Sequence, residues 1–132
     1  MDKDIEALLK RADTFTLTTI DSRGFPHVIA VSKPLERSGF HYFKFYINMD
    51  GRTAENIKKN RAGSLFCVDS AKHESLALKG YFFLEEIEGY EALTAKLNDF
   101  QQQLEYHHPV LAVFETLSVK HYKDNQTEII DG

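Results

Sequence analysis

The apolar residues change their spacing near residue 13, and that change commits most of the chain to β-structure. Before it, Ile5, Leu8, Leu9 and Ala12 recur at helical spacing, with Asp2, Asp4 and Glu6 early and Lys10 and Arg11 late, as a helix macrodipole favours. From Thr14 the period is two. Phe15 and Leu17 fall on one face and Thr14, Thr16 and Thr18 on the other, giving a strand that ends near Ile20. Asp21-Ser22-Arg23-Gly24 has turn chemistry, and Pro26 introduces a β-branched run from His27 to Ser32, so the two runs form a hairpin.

The same reading continues along the chain. Pro34 and Ser38-Gly39 interrupt the pattern, after which the aromatic-rich stretch Phe40 to Asn48 predicts a strand with Phe40, Tyr42, Lys44 and Tyr46 facing one way. Thr53 to Asn60 predicts a short helix, and Ser64 to Asp69 and Leu76 to Glu85 two further strands, with Gly80 marking a bulge. Tyr90, Leu93, Leu97, Phe100 and Leu104 form a helical stripe within Glu88 to Leu104. Val110 to Tyr122 alternates again, and the polar tail Lys123 to Gly132 is expected to be loosely attached. Six strands joined largely by hairpins, with three inserted helices, exclude a parallel doubly wound sheet and leave an antiparallel barrel or sandwich. No repeat or linker divides the 132 residues, so a single domain spanning 1–132 is expected.

Charge excludes several functions. The net charge is −4, so no positive field gathers nucleic acid, whose binding rests on phosphate neutralisation. Arg52, Lys58, Lys59 and Arg61 form a local basic cluster sized for one small anion. The lone Cys67 lies in the apolar run Leu65-Phe66-Cys67-Val68, where a thiol acts as a small hydrophobe, and with no secretory pattern at Met1 to Asp4 a cytoplasmic location is expected. No apolar run approaches the roughly 20 residues of a membrane span. His107-His108, with His73, His121 and Glu105, lacks a spacing that turns ligands to one face, so no metal site is expected and the histidines read as solvent-facing or interfacial.

Chemistry concentrates where a strand meets a helix. Tyr46-Ile47-Asn48-Met49-Asp50-Gly51-Arg52-Thr53 sets a glycine, a cation and a hydroxyl at a helix start, whose unpaired N–H groups suit a phosphate. The plain alternative is a helix cap beside an exposed arginine.

That segment, the Pro26 to Ser32 strand before it and Asn60-Arg61-Ala62-Gly63-Ser64 after it resemble the pyridoxamine 5′-phosphate oxidase-like family, especially its short general stress protein branch. The resemblance extends to Val113-Phe114-Glu115 and Val119 to Tyr122, and implies a mainly β, six-stranded antiparallel split barrel that binds flavin mononucleotide (FMN) in a homodimer groove. It assigns the flavin phosphate to Arg52, makes Tyr46, Ile47, Asn48 and Thr53 of the same motif cofactor-binding positions, and sets Val28, Ile29, Ala30 and Val31 to face or edge the isoalloxazine ring. Ile47, Gly51 and Thr53 replace the family's usual threonine, serine and lysine, and Ile29 stands near where an arginine is common, so Lys33, Lys58 and Lys79 are the cations available to assist Arg52. The oxidases' C-terminal substrate stretch has no counterpart, so an FMN-dependent oxidoreductase other than a pyridoxamine phosphate oxidase is implied. The alternative is a non-enzymatic dimer holding haem, a deazaflavin or another small ligand in the same groove. No catalytic side chain is assigned, since a flavin brings its own redox chemistry.

Overall fold

A computed structural model describes residues 2–87 and 109–131. The expected helix over 88–104 and the His107-His108 pair lie outside the described residues. Helix α1 (Asp2–Arg11) buries Ile5, Leu8 and Leu9 and delivers the chain to β1 (Thr14–Ile20). The turn after β1 is held by Asp21, whose Oδ1 accepts the backbone N–H groups of Arg23 and Phe25, both at 2.9 Å, with Gly24 at φ +85°. Strands β2 (Pro26–Val31), β3 (Glu36–Ser38) and β4 (Tyr42–Asn48) follow, then α2 (Arg52–Lys59), β5 (Ala62–Asp69) and β6 (Glu74–Glu85). Beyond the undescribed segment run β7 (Pro109–Lys123) and β8 (Gln126–Asp131).

All eight strands pair antiparallel in one sheet of order β2-β1-β5-β6-β7-β4-β3, with β8 also on β7. Along one edge β7 pairs continuously with β6. Its other edge is divided between β4, from Asn48 opposite Pro109 to Tyr42 opposite Glu115, and β8, from Ser118 opposite Asp131 to Lys123 opposite Gln126. The division falls where Lys79 pairs with Ser118 and Gly80 with Thr116, leaving Leu117 as the extra residue of a bulge. The sheet curls but does not close, as in a split barrel: Phe15 of β1 and Phe45 of β4, far apart in strand order, have ring centroids 6.4 Å apart. Phe43, Phe114 and Phe82 continue this chain of rings, which α1 and α2 help to cover.

Two elements depart from the sequence reading. The tail expected to be loose forms β8, whose Ile130 packs on the core opposite Val119; a single apolar residue on the inner face was outweighed by its polar neighbours. Strand β3 has only three residues and is too short for a periodic signal. These two bring the strands from six to eight. Phe40 precedes β4 and packs on the core, whereas Tyr42, Lys44 and Tyr46 lie on the opposite face of that strand from Phe43, Phe45 and Ile47.

Candidate functional site

The strand-to-helix junction has a defined backbone. Asn48 Oδ1 accepts the Asp50 N–H at 3.3 Å, and the Asn48 carbonyl accepts the Gly51 N–H at 3.1 Å. Gly51 is the N-cap of α2, with φ −82° and ψ 166°, and contributes no side-chain cap. The helix therefore starts with N–H groups that no capping side chain takes up, the condition under which a helix N-terminus receives an anion. Arg52 stands at this start with its side chain 64% exposed, 4.0 Å from the similarly exposed Glu55 carboxylate, a loose contact that leaves the guanidinium accessible.

The other residues of the junction divide by depth. Ile47 belongs to the barrel core and Thr53 is buried under the helix. Tyr46 is buried on the opposite face of β4, packed with Leu35 and Ile87. Asn48 is half-buried and shapes the turn. Among the candidate assisting cations, Lys33 Nζ donates to the Lys10 carbonyl at 2.7 Å, at the end of α1, and Lys58 is exposed on α2.

Strand β2 alternates. Ile29 and Val31 pack against the core, while Val28 and Ala30 face outward. Outward register continues across the sheet: Ala30 pairs with Thr16, Thr16 with Phe66, Phe66 with Ala77, Ala77 with Lys120 and Lys120 with Ile129. The adjoining row runs Val28, Thr18, Ser64, Lys79, Ser118. These rows form an outer platform whose centre carries small and hydroxyl side chains, with exposed Val28, Phe66 and Ile129 and two ammonium groups, Lys79 and Lys120. Its legible sequence signal was the apolar residue on the otherwise small, hydroxyl-rich face: Phe66 beside Thr16 and Ala77.

One buried hydrogen bond joins α2 to the core face of β1, the strand whose outer face carries Thr16 and Thr18 of the platform. Asn56 Nδ2 donates to Thr19 Oγ1 at 3.0 Å, both residues being buried. Asn56 lies one turn, about 6 Å along the axis, beyond Arg52. Thr19 follows Thr18, which opposes Val28. Arg52 and the Val28 end of the platform are thus carried on elements locked together by Asn56, although β2 and β4 are distant in strand order.

A second polar group was not anticipated from the sequence. Arg11 bonds Asp69 Oδ2 through Nε at 2.8 Å and Glu74 Oε1 through its terminal nitrogen, while His121 Nε2 meets Glu74 Oε2 at 2.8 Å. His121 is therefore buried rather than solvent-facing, because its inward position on β7 is matched by a carboxylate on β6. The available signal was acids at the facing ends of two apolar strands, Asp69 and Glu74, which pair in register. The hydrogen bond from Arg11 holds the Asp69 carboxyl below its ordinary range. Among the described residues no three His, Cys, Asp or Glu side chains are grouped to hold a metal ion. Burial pushes the Cys67 thiol up to about 12, which keeps it inert.

No protein-family model and no curated protein matches the sequence. Solved structures do match in shape. A protein related to general stress protein 26, of the pyridoxinephosphate oxidase family, from Clostridium acetobutylicum aligns with TM-score 0.80 and 18% identity over 98% of this chain and 93% of its own. The general stress protein 26 of Bacillus anthracis aligns with TM-score 0.79 and 12% identity over 99% and 98%. A heme binding protein from Mycobacterium smegmatis aligns with TM-score 0.74 and 14% identity over 98% of this chain and 57% of its own. Among the described residues no helix is long and apolar enough to cross a membrane. The chain has the split-barrel fold of the general stress protein 26 type, a fold it shares with a heme binding protein.

Proposed function

We propose that residues 1–132 form one FMN-binding domain of the pyridoxamine 5′-phosphate oxidase-like kind, working as a cytoplasmic homodimer. The observation that carries this reading is the Asn56–Thr19 hydrogen bond, which locks an uncapped helix start bearing Arg52 to the strand beside the Val28 end of the platform. Arg52 and the first N–H groups of α2 hold the phosphate. Val28 and Ala30 lie along the ring, with Lys79 as the assisting cation on the same face. Ile29, Val31, Tyr46, Ile47 and Thr53 fix the backbone from behind, and Asn48 sets the turn.

The fit to a flavin rests on this chain's own donors and surfaces. An anionic end meets a cation and unpaired amides, and a planar end meets a shallow face of small side chains. A bound flavin supplies electron transfer, and the protein supplies orientation and exclusion of water. A second copy of the chain on the platform buries the exposed Val28, Phe66 and Ile129 and closes the ring into a groove.

A second reading is a haem or deazaflavin carrier using the same groove. It is favoured by the likeness in shape to the Mycobacterium smegmatis heme binding protein and by two ammonium groups on the platform, Lys79 opposite Ser118 and Lys120 opposite Ala77, suited to a planar ligand with two acidic arms. An absorption spectrum of purified protein after dialysis against each cofactor separates the readings. Two bands in the near-ultraviolet and blue support flavin, one intense Soret band supports haem, and a protein left colourless by flavin, haem and deazaflavin alike overturns both readings.

A further inference from the structure

A different concavity, about 500 Å³ in volume, lies between α1 and the turn that enters β4. One wall is the stripe Lys3, Glu6, Ala7 and Lys10, on the opposite face of the helix from Ile5, Leu8 and Leu9. The other is Gly39, Phe40 and His41, whose two rings lie 4.3 Å apart with planes 32° from parallel.

Both walls are fixed. Arg37 grips Glu6 with two nitrogens, at 2.7 and 2.6 Å, tying β3 to the helix. Thr116 Oγ1 donates to the Phe40 carbonyl at 2.6 Å, and the Thr116 N–H donates to the His41 carbonyl at 2.9 Å, tying the turn to the bulged part of β7. A groove held at both sides keeps its shape without a ligand and loses little order on binding.

Its charge is one-sided. The Glu6 carboxylate is committed to Arg37, which holds it below its ordinary range. Lys3 and Lys10, about 10 Å apart along the helix, form no ion pair among the described residues. Lys33, bonded to the Lys10 carbonyl, brings a third ammonium group to the same end. An apolar slot with two tilted rings on one wall and the ammonium groups of Lys3 and Lys10 at its rim complements a ligand that is planar, apolar and anionic.

We propose that this groove binds a small planar aromatic carboxylate, its ring against Phe40 and His41 and its carboxylate on Lys3 or Lys10, at a site separate from the outer platform.

The test is a titration of the full ¹⁵N-labelled chain with 2-naphthoate and with the neutral 2-naphthamide, followed by amide chemical shifts. Saturable naphthoate shifts at Ala7, Gly39 and His41 are expected, with the amide about two- to fivefold weaker. Lys3→Gln with Lys10→Gln should remove that preference. Ala7→Trp, which fills the slot and keeps both lysines, should abolish binding of both probes. The spectra themselves report that each variant is folded. Equal affinity for the two probes, or shifts centred on Thr16, Phe66 and Ala77, overturns the proposal. So do concentration-dependent shifts at the groove without any probe, because a second copy of the chain would then be its occupant.

Discussion

Glu74 bridges two partners of different kinds, with one carboxylate oxygen on the Arg11 guanidinium and the other 2.8 Å from His121 Nε2. The carboxylate is 3% exposed and His121 4%, so water does not replace either contact. Glu74→Ala leaves a buried imidazole and a half-exposed guanidinium without a shared partner, and should cost about 3 kcal/mol by denaturant unfolding. Glu74→Leu combined with His121→Phe should cost less than Glu74→Ala alone, because it removes both buried polar partners together. A double variant less stable than Glu74→Ala would show that the pair itself, rather than its satisfaction, stabilises the fold.

Acid stability follows from two carboxylates. Arg11 lowers Asp69 from its ordinary 3.8, and Arg37 lowers Glu6 from its ordinary 4.5. Each binds its proton less readily when folded, so each contributes stability that is complete above its ordinary value and lost as pH falls through the lowered one. Melting temperature should therefore be flat with respect to these groups from pH 7 to pH 5 and fall below about pH 4. Asp69→Asn and Glu6→Gln should each make the acid limb shallower. An unchanged limb in both variants would assign acid unfolding to other groups.

Gly80 is required by contact rather than by its dihedral angles. A Cβ built on it lies 2.0 Å from the Glu115 carbonyl oxygen and 2.9 Å from the Phe114 ring, at the bulge that divides β7 between β4 and β8. Gly80→Ala must push two paired strands apart and should cost about 3 kcal/mol, measured as a shift in the urea midpoint. Gly63→Ala is also unfavourable, with a Cβ 2.5 Å from both the Phe82 ring and the Thr18 carbonyl. Gly24, whose Cβ would meet nothing within 4 Å but whose φ is +85°, should suffer only the smaller cost of a strained turn, about 1 kcal/mol.

What the sequence disclosed and what it withheld divide along physical lines. Periodicity found α1, the β1–β2 hairpin and the long strands because each buries one face, and Gly80 announced the bulge because a glycine within an apolar strand is otherwise unfavourable. β8 escaped because it takes its stability from pairing with β7, and pairing leaves little mark on a polar strand. At the site, Arg52 and the helix start were legible as a local motif. The alternation of β2, which the sequence reading did not separate, turns Ile29 and Val31 toward the core and leaves Val28 and Ala30 facing outward. The Asn56–Thr19 lock was not legible, and the platform and the Arg11–Asp69–Glu74–His121 group left only single-residue marks, Phe66 and the acids Asp69 and Glu74, because each joins residues distant in the chain.

Phe66 offers the sharpest separation of assembly from ligand binding. It is 39% exposed at the centre of the platform, between Thr16 and Ala77, whereas Arg52 stands at the start of α2, off that face. Replacing Phe66 by Lys adds a charge to the platform without touching the core, and two copies facing each other would then bring like charges together. Light scattering should show the proposed homodimer converted to monomer. Arg52→Ala should leave the assembly intact and weaken FMN binding by about 1.5–3 kcal/mol, the range for a hydrogen bond to a charged group. If FMN lies in a groove completed by the second copy, Phe66→Lys should also lose FMN, and raising the protein concentration should restore both together. FMN affinity unchanged in the monomer would place the whole site within one chain and separate the platform from the flavin.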